Sequence, residues 1–554
     1  MNTHRSPEIY DAIVVGSGAT GGVAAKELGE RGWKVLVLEA GRDLDPQADL
    51  GHTARDMAKR FYNLLISRRQ SYQSLHPGYW KANPDFFIDE QDNPYTTPDD
   101  KPFNWIRGRQ VGGRSLTWGG ITLRLSDYEF KAASRDGYGE DWPIAYADLA
   151  PYYTQLERFF QVHGARDGLA QLPDGEYLSP SAFTPAEQHL KAVVEAEWPD
   201  RRLIISRGFP LHRSTRSNPW PRSSSQGASL KVAMATGNVS LQSDAVVSHV
   251  LFDPATRKAR GVGYVDRVDK TTHEVLGRIV VLCASTIESV RILLHSTEPY
   301  QPGGLINASG LLGRFLMDHV STATFFFLPG FKPPEQSFEL SGSDSFFIPC
   351  FCNLEAQQLD FIRGYGLWGG IQRFDPPGLF RKVGKGAIGF LIAHGEVLPR
   401  YHNHIRLNPE VVDAWGIPAA HIDCVWSENE HRMLDHMHSQ IKEIVNQAGG
   451  KCMRLTDLFR VPIFSEYVRR MEEAMAFAAP PGFYVHEVGG ARMGTAATNS
   501  VVNANNQCWE APNLLVTDGA CWVSAGWQSP TLTEMAITAR ACNLIADQLG
   551  QGNV

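Results

Sequence analysis

The stretch Tyr10–Ala40, YDAIVVGSGATGGVAAKELGERGWKVLVLEA, decides the fold. Its apolar start, Tyr10–Val15, predicts a short buried strand that leads directly into a glycine-rich turn. The following residues predict a helix over Val23–Glu30, ended by Gly32, and then a second strand over Lys34–Ala40. Strand, glycine turn, helix and strand in this order predict a βαβ nucleotide-binding unit.

Each glycine of GSGATGG has its own task in such a turn. Gly16 allows the tight turn, Gly18 lets backbone amides approach a pyrophosphate, and Gly21 lets the helix pack closely on the sheet. The anion would lie at the amino end of the helix, beside Ala19 and Thr20. A purely structural glycine turn is the alternative when the motif stands alone.

An acidic residue ends the second strand where a ribose would lie. Glu39 follows Gly18 by 21 residues, and a carboxylate there can accept hydrogen bonds from ribose hydroxyls. It favours an unphosphorylated ribose, which fits FAD or NAD and argues against NADP. The motif leaves the choice between FAD and NAD open.

A second glycine-rich segment, FNWIRGRQVGGRSLTWGGITLR, occupies residues 103–124. Its small residues would let a flat ligand lie close to the backbone. Two such segments far apart in the chain indicate a large, extended cofactor. A glycine-rich connection between domains is the alternative for this segment taken alone.

The composition excludes several classes of protein. The 53 basic and 60 acidic residues give a net charge of −7, which argues against nucleic acid as a partner. A mean hydropathy of −0.25 and the lack of a long apolar run predict no membrane span. The amino terminus lacks an apolar signal-peptide run, so we expect a cytoplasmic protein, or a periplasmic one only if a signal-bearing partner exports it. The cysteines form no CxxC pair, and no metal site is predicted.

Seven segments, in order along the chain, resemble the glucose-methanol-choline (GMC) oxidoreductases, a family of FAD flavoproteins. They are GSGATGG (16–22), GRQVGGRSLTWGG (108–120), LCASTIESVRILLHS (282–296), SGLLGRFLMDH (309–319), HEVGGARMG (486–494), NLLVTDGACW (513–522) and SPTLTEMAITARA (529–541). The resemblance extends over nearly the whole chain. It implies FAD as the cofactor.

The resemblance also implies the fold, an α/β class with a discontinuous Rossmann-like FAD-binding domain and an inserted α+β substrate domain on a large antiparallel sheet. The stretches 231–253 and 277–286 predict strands that return to the nucleotide sheet, and 322–329 and 387–395 predict strands of the substrate domain. The expected FAD-binding domain comprises 1–50, 100–160, 231–319 and 481–554. The expected substrate-binding domain and lid segments comprise 51–99, 161–230 and 320–480.

Within the family, three stretches are most similar in sequence to catalytic subunits of bacterial glucoside 3-dehydrogenases and to sugar 3-oxidases. They are DNPYTTPDDKPFNWIRGRQVGGRS, HEVGGARMGT and NQCWEAPNLLVTDGA. This implies oxidation of a secondary ring hydroxyl of a sugar or glycoside, at ring carbon 3. Oxygen, a quinone or a cytochrome subunit would reoxidise the flavin, and a small accessory subunit is a further expected partner. The alternatives are a non-sugar alcohol or glycosylated natural product as substrate, or a redox-inactive flavoprotein.

The resemblance assigns the catalytic base to His486, which starts HEVGGARMG. A histidine suits this task because its ordinary pKa of about 6.5 leaves it neutral near pH 7. The relatives commonly have asparagine or histidine before the proline of the PTLT motif, where this chain has Ser529, preceded by Gln528. A serine hydroxyl can hold a substrate oxygen but is a poor base. Ser529 is alternatively a helix N-cap before Pro530.

The resemblance also implies which other residues bind the cofactor. The full predicted set is Gly16, Gly18, Ala19, Thr20, Gly21, Glu39, Arg109, Gly112, Gly113, Ser115, Trp118, Gly119, Gly120, Ala245, Val246, Asp518, Gly519, Ser529, Pro530 and Thr531. Pyranose 2-oxidase, a more distant relative, bonds its flavin covalently through a histidine in the segment that matches SLTWGG. Thr117 stands there in this chain, so we expect non-covalent FAD.

Overall fold

The computed structural model describes residues 3–51, 53–296, 304–374, 381–460, 469, 472–473 and 479–550. The parts of the expected domains at 1–2, 52, 297–303, 375–380, 551–554 and most of 461–478 lie outside the described residues. The helices are α1 Ala19–Glu30, α2 Pro46–Asp49, α3 Thr53–Phe61, α4 Asp127–Phe130, α5 Ala132–Asp136, α6 Tyr146–Phe160, α7 Pro185–Glu197, α8 Ser229–Ala235, α9 Thr286–His295, α10 Glu428–Gln447, α11 Leu455–Leu458 and α12 Thr531–Gly550.

The strands run from the amino terminus to just before α12. They are β1 Thr3–Val15, β2 Val35–Leu38, β3 Ile204–Ile205, β4 Val239–Gln242, β5 Ala245–Asp253, β6 Lys258–Asp266, β7 Thr272–Leu282, β8 His319–Pro329, β9 Phe346–Ile348, β10 Tyr365–Ile371, β11 Gly386–Glu396, β12 His404–Val412, β13 Pro418–Asp423, β14 Lys451–Met453, β15 Gln507–Cys508 and β16 Ala511–Val516.

The larger sheet is mixed and contains the predicted βαβ unit. Strands β16, β7, β1, β2 and β4 lie side by side in this order, and every pair among them is parallel. Strand β15 extends it antiparallel to β16, β6 pairs antiparallel with β7, and β5 pairs antiparallel with β6. In a sheet of this kind ligands bind outside the carboxyl ends of the parallel strands.

Sterics around the first turn explain why this sequence folds as a βαβ unit. Gly16 has a φ of 98°, and a Cβ on it would lie 2.3 Å from the carbonyl oxygen of Cys283 in the neighbouring segment after β7. A Cβ on Gly21 would lie 1.9 Å from the Gly16 carbonyl oxygen. Both positions require glycine, because a side chain would force helix and strand apart.

Three helices cover one face of the parallel strands. Leu28 of α1, Ala233 of α8 and Ile545 of α12 belong to one apolar cluster, which also contains Val14 of β1 and Val35 of β2. These side chains are at most 2% exposed and exclude water from that face of the sheet. The last helix of the chain therefore packs against the first.

The predicted elements of this sheet need five corrections, the first of which is that β1 begins at Thr3 rather than Tyr10. The helix begins at Ala19 rather than Val23, and β2 covers Val35–Leu38 rather than Lys34–Ala40. The predicted strand over 231–253 begins as a helix, because Leu230 and Ala233 turn the same face of α8 inward; strand structure starts only at β4. The stretch 277–286 is strand only to the end of β7, and α9 starts at 286.

The second sheet is antiparallel throughout, with the order β14-β8-β11-β10-β9-β3. The predicted strands at 322–329 and 387–395 lie in β8 and β11, which pair along their whole length. A two-stranded ribbon of β12 and β13 stands apart from both sheets. The α/β class, with a nucleotide-type parallel sheet and a large antiparallel sheet, is confirmed.

Two further properties concern the chain as a whole. All eight cysteines are free thiols, and Cys452 alone among them is not buried. Within the described residues, no helix combines the length and apolar character needed to cross a membrane.

Candidate active site and cofactor cradle

The two glycine-rich segments meet at the carboxyl ends of the parallel strands. Gly18 is the N-cap of α1, so the free amides of that helix face this edge. A Cβ on Gly18 would meet no atom within 4 Å, whereas one on Gly113 would lie 3.4 Å from the Gly18 Cα. Gly113 and its neighbour Gly112 have φ values of 52° and 88°. We call this opening between Gly18 and Gly113 the cradle.

Glu39 ties the parts of the cradle together. Its carboxylate accepts hydrogen bonds from the Ser17 amide at 3.1 Å, the Ser17 hydroxyl at 2.6 Å and the Gly41 amide at 2.9 Å. The Ser17 hydroxyl in turn accepts from the Gly112 amide at 3.0 Å. Burial raises the pKa of Glu39. The Ala245 amide, at the start of β5, donates to the Glu39 carbonyl at 2.9 Å, so this strand borders the acid.

The second segment leads from the cradle towards the antiparallel sheet. Arg109 forms an ion pair with Glu288 at 3.2 Å and lies close enough to Glu39 to favour its charged form. At the other end, the Gly120 carbonyl accepts from the Phe209 amide at 3.0 Å. The segment therefore connects the ribose end of the cradle to residues beside the second sheet.

The carboxyl-terminal motif closes the cradle from the β16 side. Asp518 caps the short 3₁₀ turn that starts at Gly519, accepting from the Ala520 amide at 3.1 Å and from the Ser289 hydroxyl at 2.5 Å. Burial raises the pKa of Asp518 to about 6. The Gly519 carbonyl accepts from the Gly489 amide at 2.8 Å, which joins this turn to HEVGGARMG.

Arg114 is the cation at the centre of a group of buried carboxyls. Its guanidinium forms an ion pair with Glu487 at 2.9 Å, and the side chain of Glu487 is 1% exposed. Burial, with repulsion from Glu487, raises the pKa of Asp318 to about 7. Burial, with repulsion from Asp518, raises the pKa of Glu534 to about 8. One arginine thus balances several carboxyls whose ordinary pKa values lie near 4.

His486 lies beside this group, and its backbone and ring are both held. Its amide donates to the Asp318 carboxylate at 3.0 Å, and its Nδ1 lies 2.8 Å from the Nδ1 of His319. Val485, directly before it, has a φ of 65°, which is strained for a β-branched residue. Burial, reinforced by the neighbouring His319, holds the pKa of His486 well below its ordinary value.

His486 belongs to a cluster of aromatic rings, which we call the histidine cluster: His319, His394, Tyr484 and His486. The ring of His319 lies 4.8 Å from that of His486, and the ring of His394 stacks on Tyr484 at 5.0 Å. The Nε2 of His319 lies within hydrogen-bonding distance of the Gly526 carbonyl. Burial lowers the pKa of His319 to about 4 and holds the pKa of His394 well below its ordinary range. The cluster is therefore uncharged near pH 7.

The other two predicted catalytic residues have different surroundings. Gln528 is fully buried, and its amide donates to the Gln171 carbonyl at 3.4 Å rather than to His486. Ser529 is 8% exposed and lies at the end of the same loop. It is not the N-cap, because α12 begins one residue after Pro530, whose carbonyl accepts from the Glu534 amide at 3.0 Å. The alternative interpretation of Ser529 as N-cap is wrong by one position.

The cradle fits a dinucleotide on its own geometry. The helix terminus and positive-φ glycines leave room for a pyrophosphate, and Glu39 stands where a ribose is recognised. Two buried polar atoms that lack a protein partner lie on residues that border the cradle or its closing motif, Arg109 Nη1 and Glu487 Oε1. Buried polar groups are nearly always hydrogen-bonded, so such atoms indicate where a ligand or water binds.

Most predicted cofactor residues lie in the segments that form or border the cradle. These are Gly16, Gly18, Ala19, Thr20, Gly21, Glu39, Arg109, Gly112, Gly113, Ser115, Ala245, Val246, Asp518 and Gly519. Trp118, Gly119 and Gly120 lie further along, and the ring of Trp118 packs 5.9 Å from Phe209. Pro530 and Thr531 lie at the start of α12.

Sequence reasoning missed Arg114, Asp318, His319, His394 and Tyr484. Arg114 lies between two predicted cofactor residues, Gly113 and Ser115, and SGLLGRFLMDH ends in the Asp318–His319 pair. The signal available was a charged residue inside a glycine loop and an acid–histidine pair at the end of a motif. His394 lies inside an apolar strand, β11, and only the fold brings it to Tyr484.

Comparison with known families gives two matches that cover most of the chain. The amino-terminal model of the family described as GMC oxidoreductase matches residues 10–321, and its carboxyl-terminal model matches residues 399–538. The first range contains the cradle and His319. The second contains His486 and the start of α12.

Individual relatives match over nearly their full length. The 2-methyl-1,2-propanediol dehydrogenase of Mycolicibacterium austroafricanum is 26% identical, covering 98% of this chain and 96% of the relative. The fructose dehydrogenase large subunit of Gluconobacter japonicus is 24% identical, covering 98% of each. Among solved structures, pyridoxine 4-oxidase from Mesorbium loti shares the fold with a TM-score of 0.62 at 16% identity, covering 97% of this chain and 99% of that one.

Proposed function

Because this chain belongs to the GMC oxidoreductase family, we propose that it oxidises a secondary alcohol of a sugar or glycoside at ring carbon 3. It is an FAD-dependent oxidoreductase that acts on CH–OH groups. The proposal adds three points to that statement: the substrate class, the position of oxidation and His486 as the base.

The observation that carries the choice of base is the state in which the fold holds His486. Its ring is buried beside other histidines, which keeps its pKa well below the ordinary value and leaves it neutral. A base must be neutral to accept a proton. The contact of its Nδ1 with His319 and of its amide with Asp318 fixes the ring, so the Nε2 nitrogen is left for the substrate.

In the proposed reaction, the chain's residues orient the alcohol and move its proton. The substrate hydroxyl donates its proton to His486 Nε2, and Ser529 at the adjoining loop end holds the same oxygen by a hydrogen bond. FAD, when bound, accepts the hydride from the carbon. The rings of His319 and His394, 3% and 1% exposed, keep water from their side of the proton acceptor. A catalytic role for Gln528 stays a prediction, since its hydrogen bond is to Gln171.

We propose that FAD is bound without a covalent link. The pyrophosphate would lie between Gly18 and Gly113, and the Glu39 carboxylate would accept hydrogen bonds from the ribose hydroxyls. Thr117 stands where a relative has the attachment histidine, and its hydroxyl donates to the Arg114 carbonyl at 3.2 Å. Acid precipitation of the purified protein should release the flavin into the supernatant, and flavin retained in the pellet would contradict this.

The proposed domain boundaries follow the two sheets. The mixed sheet takes its strands from 1–50, 231–319 and 481–554, which we assign to the FAD-binding domain with 100–160. The antiparallel sheet takes its strands from 161–230 and 320–480, which we assign with 51–99 to the substrate-binding domain and lid segments.

The proposed substrate class is supported by the sequence similarity of the motifs to sugar oxidoreductases and by a relative named fructose dehydrogenase. A second candidate is a non-sugar alcohol or a glycosylated natural product, favoured by the relative named for 2-methyl-1,2-propanediol. Ser529, in place of the usual asparagine or histidine, favours the third alternative, a redox-inactive flavoprotein. Oxygen, a quinone or a cytochrome subunit is the proposed electron acceptor. The relative's designation as a large subunit supports a small accessory subunit.

Isotopic substitution tests the position of oxidation. A glycoside carrying deuterium at ring carbon 3 should reduce the flavin several-fold more slowly than the unlabelled compound, because that C–H bond breaks. The matched control, deuterated at ring carbon 2, should react at the unlabelled rate. A slow reaction of the control alone would move the oxidation to carbon 2 and contradict the proposal.

A further inference from the structure

We propose that His319 is a positioning residue that holds His486 in the tautomer whose Nε2 carries no proton. The inference rests on the proposed function in one respect, the role of His486 as base. It concerns a residue outside the predicted site, and it explains how a histidine whose Nδ1 contacts another histidine can present a lone pair to the substrate.

The hydrogen bond to Gly526 determines which nitrogen of His319 carries the proton. Its Nε2 lies within hydrogen-bonding distance of the Gly526 carbonyl. A carbonyl oxygen only accepts hydrogen bonds, so the Nε2 of His319 must be the donor and carries the proton. The ring is 3% exposed, and no solvent is available to replace that bond.

The rings of His319 and His486 are both uncharged near pH 7. Burial lowers the pKa of His319 to about 4 and holds the pKa of His486 well below its ordinary value. Both rings therefore carry one proton each near pH 7. With its proton on Nε2, His319 has a bare Nδ1, which can only accept.

The tautomer of His319 determines the tautomer of His486. The two Nδ1 atoms are 2.8 Å apart, a distance that requires one donor and one acceptor. Since His319 Nδ1 is the acceptor, His486 Nδ1 is the donor and holds the only proton on its ring. Its Nε2 is then unprotonated and free to accept the proton of an alcohol.

The surrounding elements keep this chain of hydrogen bonds in place. Asp318 accepts from the His486 amide at 3.0 Å and from the Gly482 amide at 2.8 Å, which fixes the loop between them. The other titratable or charged groups around the pair are His76, Arg114, His394, Tyr484 and Glu487. Burial lowers the pKa of His76 to about 4 and raises that of Tyr484, so both are neutral. Asp318 is the carboxyl in direct contact with His486, and burial raises its pKa to about 7, whereas Arg114 and Glu487 form an ion pair with each other.

Two substitutions at His319 separate the two hydrogen bonds. In His319→Asn the amide oxygen lies near the position of the Nδ1 atom and can accept from His486, while the bond to Gly526 is lost. In His319→Gln the amide reaches the Nε2 position and keeps the Gly526 bond, while the acceptor for His486 is lost. Both variants replace the ring by a neutral amide, and the variant expected to be slow, His319→Gln, is the one that fills more of the volume of the ring.

We measure the rate of flavin reduction by substrate under anaerobic conditions across pH, in the FAD-loaded enzyme and both variants. Loss of the acceptor in His319→Gln should slow reduction by about 100-fold, within the range that a misplaced general base costs. His319→Asn should stay within about fivefold of the parent enzyme and keep its pH profile. Equal rates in both variants, whether high or low, would overturn the inference.

A readout independent of turnover uses histidine labelled with ¹⁵N in the ring, with the signal of His486 assigned from its absence in His486→Ala. We expect an unprotonated Nε2 in the parent enzyme and a protonated one in His319→Gln. A protonated Nε2 of His486 in the parent enzyme would overturn the inference without any variant. If His486→Ala reduces flavin normally, the proposed base is wrong, whereas the tautomer result still stands or falls by itself.

Discussion

The cradle and the histidine cluster lie side by side but are built by different means. The cradle is mostly backbone, with glycines where any side chain would collide, as at Gly16 and Gly21. The histidine cluster is made of side chains from three distant segments, which meet through His319, His394 and His486. The cradle depends on the lack of side chains at its glycines, whereas the histidine cluster depends on the direction of each hydrogen bond. Substitutions should therefore break them in different ways.

Volume added to the cradle should have the largest effect. A Cβ in Gly21→Ala would lie 1.9 Å from the Gly16 carbonyl oxygen, so strand and helix must separate. We expect loss of bound FAD, seen as a colourless purified protein, and a loss of about 3 kcal/mol in the free energy of unfolding. The control is Gly32→Asn, at a φ of 82° with no atom within 4 Å of a Cβ, which should stay yellow. A yellow Gly21→Ala with unchanged stability would show that close packing is not what shapes the cradle.

Removal of the base should leave the cradle intact and stop the chemistry. His486→Ala should bind FAD normally but reduce it at least about 100-fold more slowly, because the proposed proton acceptor is removed. Stopped-flow absorbance under anaerobic conditions measures the rate. The matched control is His431→Ala, an exposed histidine on α10, which should react at the parent rate. An unchanged rate in His486→Ala would remove this residue from the mechanism.

A polar change in the cradle should weaken cofactor affinity without affecting the reaction of bound enzyme. Glu39→Ala removes the acceptor for the Ser17 hydroxyl and for a ribose, and we expect FAD affinity to fall about 10- to 100-fold. Titration of the apoprotein with FAD measures it. Glu30→Ala, at the exposed end of α1, should bind FAD as the parent does. Unchanged affinity in Glu39→Ala would place the ribose elsewhere.

The smallest expected effect is a shift along the pH axis. Burial and the neighbouring histidines hold the pKa of His486 below 6.5, so the ring stays neutral to lower pH than a solvated histidine. The rate of flavin reduction should therefore be constant through pH 6.5 and fall only in more acidic buffer, as the ring takes up its proton. A rate that already halves near pH 7 would contradict a neutral, buried histidine cluster.

The cradle was predictable because each of its two glycine-rich segments is a local pattern. Gly16, Gly18 and Glu39 lie in one short stretch, and sterics alone relate their spacing to a βαβ turn. The histidine cluster was only partly predictable, since His319 and His394 gain their roles from strand pairing between β8 and β11 that no local pattern reveals. The error at Lys231 has a related cause, because an apolar run in a short element suits helix or strand, and packing decides between them.

Anaerobic reduction of the bound flavin tests the central claim most directly. The enzyme is mixed, without oxygen, with a panel of sugars, glycosides and non-sugar alcohols, and the flavin absorbance is followed. The account predicts rapid bleaching by members of the sugar and glycoside group, slowed at least about 100-fold in His486→Ala. A flavin that stays oxidised with every sugar and glycoside would contradict it.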